Sequence, residues 1–542
     1  MGAWSDQLIV APILVPLAAS GLLLLLEERQ KTAKRVISAV ATLLLVLISF
    51  LLFQGVVTAG MDGAPVTRTY LVGDWPAPFG IVLVVDWLSV LMLTLTGILG
   101  FTSFLYATAR WDAAGPRFHA LFLLQLAGLN GAFLTGDLFN LFVFFEVLLA
   151  ASYGLMLHGS GEARVKAGLH YVSINVATSL LFLIGASLIY GAAGTLNMAD
   201  LATRIPAIPR SDLALFQAGM GILGIAFLVK AGMWPLGFWL PSTYSAATPP
   251  AAALFAILSK VGIYAVLRVY LLLFGTTDSP MPNFGGEWLL YGGMATIAFG
   301  TIGLLAARTL SRLAGFSIII SSGTLLAALG SGEGAVLGAV LFYLVSSTLA
   351  LSAFYLLVEL VERQETGLVP SAVAEPVFDD EYVGTQSAID DGEVGIVIPA
   401  TVAILGGGFA FCALLLAGLP PLSGFIAKFA IIDGLLGLDE RIAASTWTLI
   451  ALIILSGLAT LIATTRAGID LIWAPSDKPQ PVLRIAEAAP VGLLLAICLA
   501  LMIFAGPVMN YMERTGRSLE DREGYIRSVA GAARAHPPAG QP

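Results

Sequence analysis

The run FNLFVFFEVLLAASYGLML, residues 139–157, is long enough to cross a bilayer as a helix, yet it carries one carboxylate, Glu146. About 20 apolar residues suffice to span a hydrocarbon core roughly 30 Å thick. A carboxylate at the centre of such a helix costs about 2.5 to 3.5 kcal/mol on insertion scales. Something must offset that cost, and intramembrane carboxylates of this kind mark functional sites.

Composition extends the reading to the whole chain. Its 542 residues are 58% hydrophobic and 11% charged, with mean hydropathy +0.90, so water is not its main solvent and the chain is a polytopic, all-α membrane protein. The start, MGAWSD, has no positive charge ahead of the first apolar stretch, which argues against a cleaved signal peptide and keeps that stretch as helix one. Apolar windows cut at Gly-, Pro- and charge-rich loops predict about fourteen spans: 8–26, 36–57, 81–108, 118–136, 138–157, 167–190, 212–234, 249–274, 287–307, 312–330, 334–361, 396–418, 444–465 and 485–511. A further piece, 420–436, follows the twelfth span too closely to cross on its own unless that helix is broken at Pro420-Pro421. Cys412 and Cys498 fall inside spans without metal-like spacing and read as buried hydrophobes, with no disulfide and no metal.

Basic residues predict orientation. One set of alternate loops holds Arg29, Lys31, Lys34, Arg35, Arg110, Arg117, Arg164, Lys166, Arg308, Arg312, Arg363, Arg466, Lys478 and Arg484; the other, leaving out the C-terminal tail, whose five arginines lie among acids after the last span, holds only Arg68, Arg204, Arg210 and Arg441. The first set is expected in the cytoplasm, with both termini outside. The net charge of −8 is local, because the segment 362–395 holds Glu362, Glu365, Glu375, Asp379, Asp380, Glu381, Asp390, Asp391 and Glu393 against Arg363. That segment reads as a solvated cytoplasmic insertion, or alternatively as a docking surface or cation-attracting funnel. The end AHPPAGQP reads as disordered.

Three lysines join Glu146 inside predicted spans: Lys230 in GILGIAFLVKAGMWPLGFWLP, Lys260 in AALFAILSKVGIYAVLRVY and Lys428 in GLPPLSGFIAKFAII. Desolvation disfavours the charged form of a buried lysine, which makes it a titratable carrier unless a carboxylate holds its proton. The plainer reading, snorkelling to the headgroups, fits Lys230 or Lys428 singly, since each lies near a helix break, and fits Lys260 less well. Arg268, eight residues after Lys260, is offset by about 80° and 12 Å, and reads either as lining the same path or as an interfacial anchor. Asp137 reads as the cap of the fifth helix. His119 and His158 sit near helix ends, and His170, just inside span six, could feed protons inward.

Proline supplies the second signal. Pro235 and Pro241 follow Lys230, and Pro420-Pro421 precede Lys428, predicting broken helices seven and twelve whose freed carbonyls need polar partners. Broken helices at matching places suggest two inverted five-helix repeats, spans 4–8 and 9–13. The units are then 1–110 (helices 1–3), 111–274 (first repeat), 287–361 with 396–467 (second repeat), the 362–395 insertion, and 485–542 (helix 14 and tail). Span ten offers Ser317, Ser321 and Ser322 where span five offers Glu146, so only one half has its own acid.

The stretches GDWPAPFGIVLVVDWLSVLM, LTGDLFNLFVFFEVLLAASYGLM, YGAAGTLNMADLA, FLVKAGMWPLGFWLPSTYSAATPP and LAGLPPLSGFIAKF resemble the antiporter-like membrane subunits shared by respiratory complex I and the Mrp-type cation/proton antiporters. The first and fourth look most like the D subunits of the Mrp type. The resemblance implies an ion pair between Glu146 and Lys230, and a hydrated row running on through Lys260 and Lys428. It also implies a hetero-oligomer with other membrane subunits in a bacterial cell membrane, moving H⁺ and Na⁺ or K⁺, with no cofactor, no catalytic residue and no nucleic-acid partner. Where complex I relatives carry a histidine, this chain has Tyr244, a poor proton carrier at neutral pH that can orient water. No cluster of oxygen ligands for a dehydrated Na⁺ is visible, which favours H⁺ on this chain's own path. Alternatives are a proton-pumping subunit of an NADH-quinone oxidoreductase or membrane hydrogenase, a solitary solute carrier, and a non-transporting scaffold.

Overall fold

The structure, a computed structural model, describes residues 7–61, 66–275, 281–366, 400–437, 442–469 and 483–532, and the side chains of all of these but 364–366. Its helices are α1 (Ala11–Leu25), α2 (Lys31–Met61), α3 (Trp87–Ala107), α4 (Phe118–Leu134), α5 (Leu138–Leu157), α6 (Glu162–Ala193), α7 (Met198–Arg204), α8 (Arg210–Ala231), α9 (Leu240–Ala246), α10 (Pro249–Phe274), α11 (Gly286–Ala306), α12 (Leu310–Gly330), α13 (Leu337–Thr366), α14 (Ala400–Ala417), α15 (Ser423–Leu436), α16 (Ala444–Gly468), α17 (Ile485–Ile503), α18 (Ala505–Glu520) and α19 (Arg522–Ala530). Among the described residues, 12 helices are long and apolar enough to cross a membrane. The shorter apolar helices α1 and α4, of 15 and 17 residues, occupy the first and fourth predicted positions. Most of the acidic insertion and the AHPPAGQP end lie outside the described residues.

Burial sorts the helices into an axis and a coat. In α10 and α12, 94% of the most apolar stretch is buried within the protein, against 28% in α17 and 33% in α6. The coat presents Leu169, Ile302, Ile454 and Leu455 outward, as a surface facing lipid should. Without a hydrophobic drive between helices in lipid, close approach depends on small side chains. Gly262 on α10 shows this: a Cβ there would lie 2.5 Å from the Ala231 nitrogen and 2.7 Å from the Phe227 oxygen. Its absence lets the end of α8, with Lys230, press against the axis.

Two helices are interrupted as proline chemistry requires. α8 ends at Ala231, Gly232 turns the chain at φ 78°, and helix resumes at Leu240 with Pro241 in the first turn. Between them the Trp234 N–H, freed from helical bonding, donates to Thr296 Oγ1 at 2.8 Å. α14 likewise ends at Ala417, with Gly418 at φ 78°, and α15 begins after Pro420-Pro421.

Two features depart from the sequence reading. A short antiparallel hairpin, β1 (Arg68–Leu71) and β2 (Val82–Val85), lies before α3, where three β-branched valines in VLVV favour extended chain. Gly136 donates its N–H to the Val82 carbonyl at 2.9 Å, tying the hairpin to the start of α5. The fourteenth span, predicted to run to 511, stops at Ile503. Pro507 has no N–H for the Ile503 carbonyl, so the chain turns at Phe504 into α18. α18 buries Met512, Thr515, Gly516 and Leu519 at helical spacing, so much of the expected tail is an amphipathic helix packed on the bundle.

Candidate functional site

Glu146 projects from the middle of α5, partly buried, and its Oε1 accepts a hydrogen bond from the Ser179 hydroxyl on α6. One turn earlier on α6, Asn175 is fully buried, and its Oδ1 accepts from Lys230 Nζ at 2.6 Å. The implied direct ion pair is therefore not the contact formed. Among the described residues no ion pair joins Glu146 to Lys230. Two neutral side chains four residues apart on one helix face stand between them. The amide of Asn175 is oriented by its own helix, since Nδ2 donates to the Tyr171 carbonyl at 2.8 Å.

Beyond Lys230 a cavity of about 10 Å³, lined by Tyr171, Asn175, Trp239, Tyr244, Leu258 and Val261, opens toward α10. That is the lower limit of the space one water needs. The Tyr244 hydroxyl, fully enclosed, has no hydrogen-bond partner among the described residues. It lines this cavity with its polar group unpaired by the described side chains.

Lys260, wholly buried in α10, donates from Nζ to Ser321 Oγ at 2.8 Å, and Ser321 donates to Ser347 Oγ on α13 at 3.0 Å. A second cavity of about 20 Å³, lined by Ser317, Ser321, Tyr343, Ser346, Ser347 and Thr460 among others, has room for one water. Ser346 donates to Ser423 Oγ at 2.9 Å at the start of α15. There Lys428 donates to the carbonyls of Leu416 and Ala417 at 3.2 and 3.0 Å. These are the acceptors that the break at Pro420-Pro421 leaves without helical partners.

Arg268 does not snorkel but is buried and ion-paired. Its guanidinium makes two bonds to Asp86, at 2.5 and 2.9 Å, with both side chains 5% exposed, and lies between the rings of Tyr264 and Tyr525. Asp86 also caps α3 by accepting from the Ser89 N–H. Burial pushes its carboxyl up, but Arg268 outweighs this and holds it below the usual carboxylate range. Asp137, which caps α5 through the Asn140 N–H at 2.9 Å, has no such cation, and burial pushes its carboxyl up. His170 is exposed on the outer face of α6 beside Phe238, apart from the row. His119 and His158 bond to Ser38 and to the Trp111 carbonyl, also away from it.

Sequence reasoning missed Asn175, Ser179, Ser346, Ser347, Ser423 and Asp86. A signal existed for two of them, because Asn175 and Ser179 are a polar pair at i, i+4 within an apolar span.

Residues 135–459, which carry this whole row, match the family described as NADH:quinone oxidoreductase/Mrp antiporter, TM. The chain is 53% identical over 541 residues to the D subunit of the probable K(+)/H(+) antiporter of Rhizobium meliloti strain 1021, covering 99% of each. The chain belongs to the D subunits of the Mrp antiporters. It is also 33% identical to the D subunit of the Na(+)/H(+) antiporter of Bacillus subtilis strain 168, over 97% of this chain and 99% of that one. A chain in the structure of the Mrp complex from Dietzia sp. DQ12-45-1b shares the fold with TM-score 0.76 and 26% identity, over 98% of this chain and all of that one. The protein is thus a multi-pass membrane subunit of a multisubunit monovalent cation/proton antiporter, a transporter rather than an enzyme.

Proposed function

We propose that this subunit carries protons along the row Glu146, Lys230, Lys260 and Lys428, and that the assembled complex couples that movement to K⁺. The observation that carries the reading is the continuity of the row. Glu146 is bonded to Ser179 and Lys230 to Asn175 on the same face of α6, a cavity at the lower limit for one water separates Lys230 from Leu258 and Val261 of the helix that bears Lys260, and Lys260 leads on to Ser321 and Ser347. Three lysines along the row, Lys230, Lys260 and Lys428, repel a metal cation when charged and can themselves carry a proton, which supports the proton as the ion of this path. The likeness to the Rhizobium meliloti protein, whose name is that of a probable K(+)/H(+) antiporter component, supports K⁺ as the exchanged cation. The basic loops support both termini on the outer side of a bacterial cell membrane, with other membrane subunits as lateral partners. The matched breaks at α8/α9 and α14/α15 support reading α4–α10 and α11–α16 as two inverted repeats, with Glu146 belonging to the first alone.

The test is cation-dependent H⁺ exchange in vesicles from antiporter-deficient cells expressing the complete complex, with K⁺ and Na⁺ compared. Wild type is expected to exchange K⁺ for H⁺. The Lys230→Ala variant, at equal assembly, is expected to lose roughly a hundredfold or more of that rate. Exchange of Na⁺ alone would overturn the cation assignment. Full exchange by Lys230→Ala would overturn the path, and proton pumping only with a redox donor would favour the oxidoreductase reading.

A further inference from the structure

The geometry points to Asn175 as a second seat for the Lys230 side chain, one that competes with Glu146 and so sets how readily the lysine gives up its proton. The inference rests on the reading of Lys230 as a proton carrier. Lys230 Nζ lies 2.6 Å from Asn175 Oδ1 and makes no ion pair among the described residues. The amide oxygen is held ready for it, because the Tyr171 carbonyl takes the amide Nδ2 at 2.8 Å and leaves Oδ1 as the end that faces the lysine. Asn175 is 0% exposed, so its acceptor is shielded from bulk water.

The placement gives the seat a direction. Asn175 and Ser179 lie one helical turn, about 6 Å, apart along α6. Glu146 is bonded at the Ser179 level and Lys230 at the Asn175 level. In this seat Lys230 lines the cavity bounded by Leu258 and Val261 of α10, the helix that carries Lys260. A lysine that moves from Glu146 to Asn175 therefore exchanges a charged acceptor for a neutral one while turning toward the next carrier. A charged ammonium has three donors to satisfy and an amide oxygen supplies one acceptor, so this seat favours the neutral amine relative to the seat beside Glu146.

The titratable groups around the lysine are few: Glu146 from α5, Tyr171 from α6 and Tyr244 from α9. α10 presents Leu258 and Val261 there, and the Lys260 ammonium is turned to Ser321. A carboxylate placed at 175 would thus dominate the local field.

The experiment compares wild type, Asn175→Asp, Asn175→Leu and Lys230→Ala in vesicles holding the complete complex, with assembly measured on native gels and exchange followed across a pH series. Asn175→Asp keeps shape and acceptor but adds charge. It is expected to move the half-maximal exchange upward by about one pH unit or more, since the lysine then keeps its proton to higher pH. Asn175→Leu removes the seat and is expected to slow exchange by roughly tenfold or more at equal assembly. An Asn175→Asp profile that coincides with wild type overturns the inference, whether or not the leucine variant assembles. Full exchange by Lys230→Ala overturns the underlying path instead. An inactive Lys230→Ala with an unmoved Asn175→Asp profile overturns the seat alone.

Discussion

At the α8/α9 break Lys230 lies in the last turn before the interruption and donates to a side-chain amide. At the α14/α15 break Lys428 lies after the interruption and donates to two main-chain carbonyls, those of Leu416 and Ala417. The chain bends in the same way at both, through a glycine at φ 78° followed by proline, yet the two lysines are differently bound. A side-chain acceptor can be exchanged by rotation about a few bonds. Backbone carbonyls at a helix end cannot move away, and leaving them buried without a donor costs about 1 to 3 kcal/mol each. Lys230 is accordingly placed to change partners, while Lys428, at the far end of the row, also completes the fold of its own half. Lys260 stands between these cases, wholly buried with one hydroxyl partner, Ser321, that can both accept and donate.

The contrast breaks most visibly at Lys428. Lys428→Ala is expected to orphan the Leu416 and Ala417 carbonyls and to reduce the amount of assembled complex several-fold, about 2 to 6 kcal/mol being lost at the α14 end. Lys230→Ala should leave assembly near wild type and abolish exchange. Native-gel yield against exchange rate separates the two, and equal assembly for both variants would erase the distinction. A smaller effect sharpens the middle case. Ser321→Ala takes away the hydroxyl bridging Lys260 and Ser347, and should slow exchange by roughly tenfold with assembly intact, as one charge-assisted hydrogen bond is lost. A wild-type rate would mean that Lys260 does not pass its proton through Ser321. Smallest is Ser179→Ala, which removes the donor to Glu146 without touching Lys230. Exchange is expected to fall by roughly threefold, because one hydrogen bond to the carboxylate is lost while Lys230 keeps Asn175. A loss as large as that of Lys230→Ala would instead show that Ser179 is required to hold the carboxylate.

Much of this arrangement is legible in the chain. The apolar windows locate the spans because each must satisfy its backbone internally, and proline without an N–H marks both breaks. Glu146, Lys230, Lys260 and Lys428 stand out because a charge in an apolar run is costly and rare. The partners do not stand out. Serines and asparagines are common in membrane helices, and nothing along the chain says that Ser321 meets Lys260 across 61 positions, or that Asn175 meets Lys230 across 55. Arg268 was ambiguous for the same reason, its partner Asp86 being 182 residues away. The end of the last span was overestimated because the apolar start of α18 continues the hydropathy of α17 past the turn at Phe504.

By itself, then, the sequence determined which side chains are too polar for lipid and where the backbone must open, since both follow from the solvation of single groups. Only the tertiary structure decided which acceptor each lysine holds. Hydrogen bonds act over about 3 Å, and whether a glycine such as Gly262 lets two helices close to that distance depends on packing between segments remote in the chain.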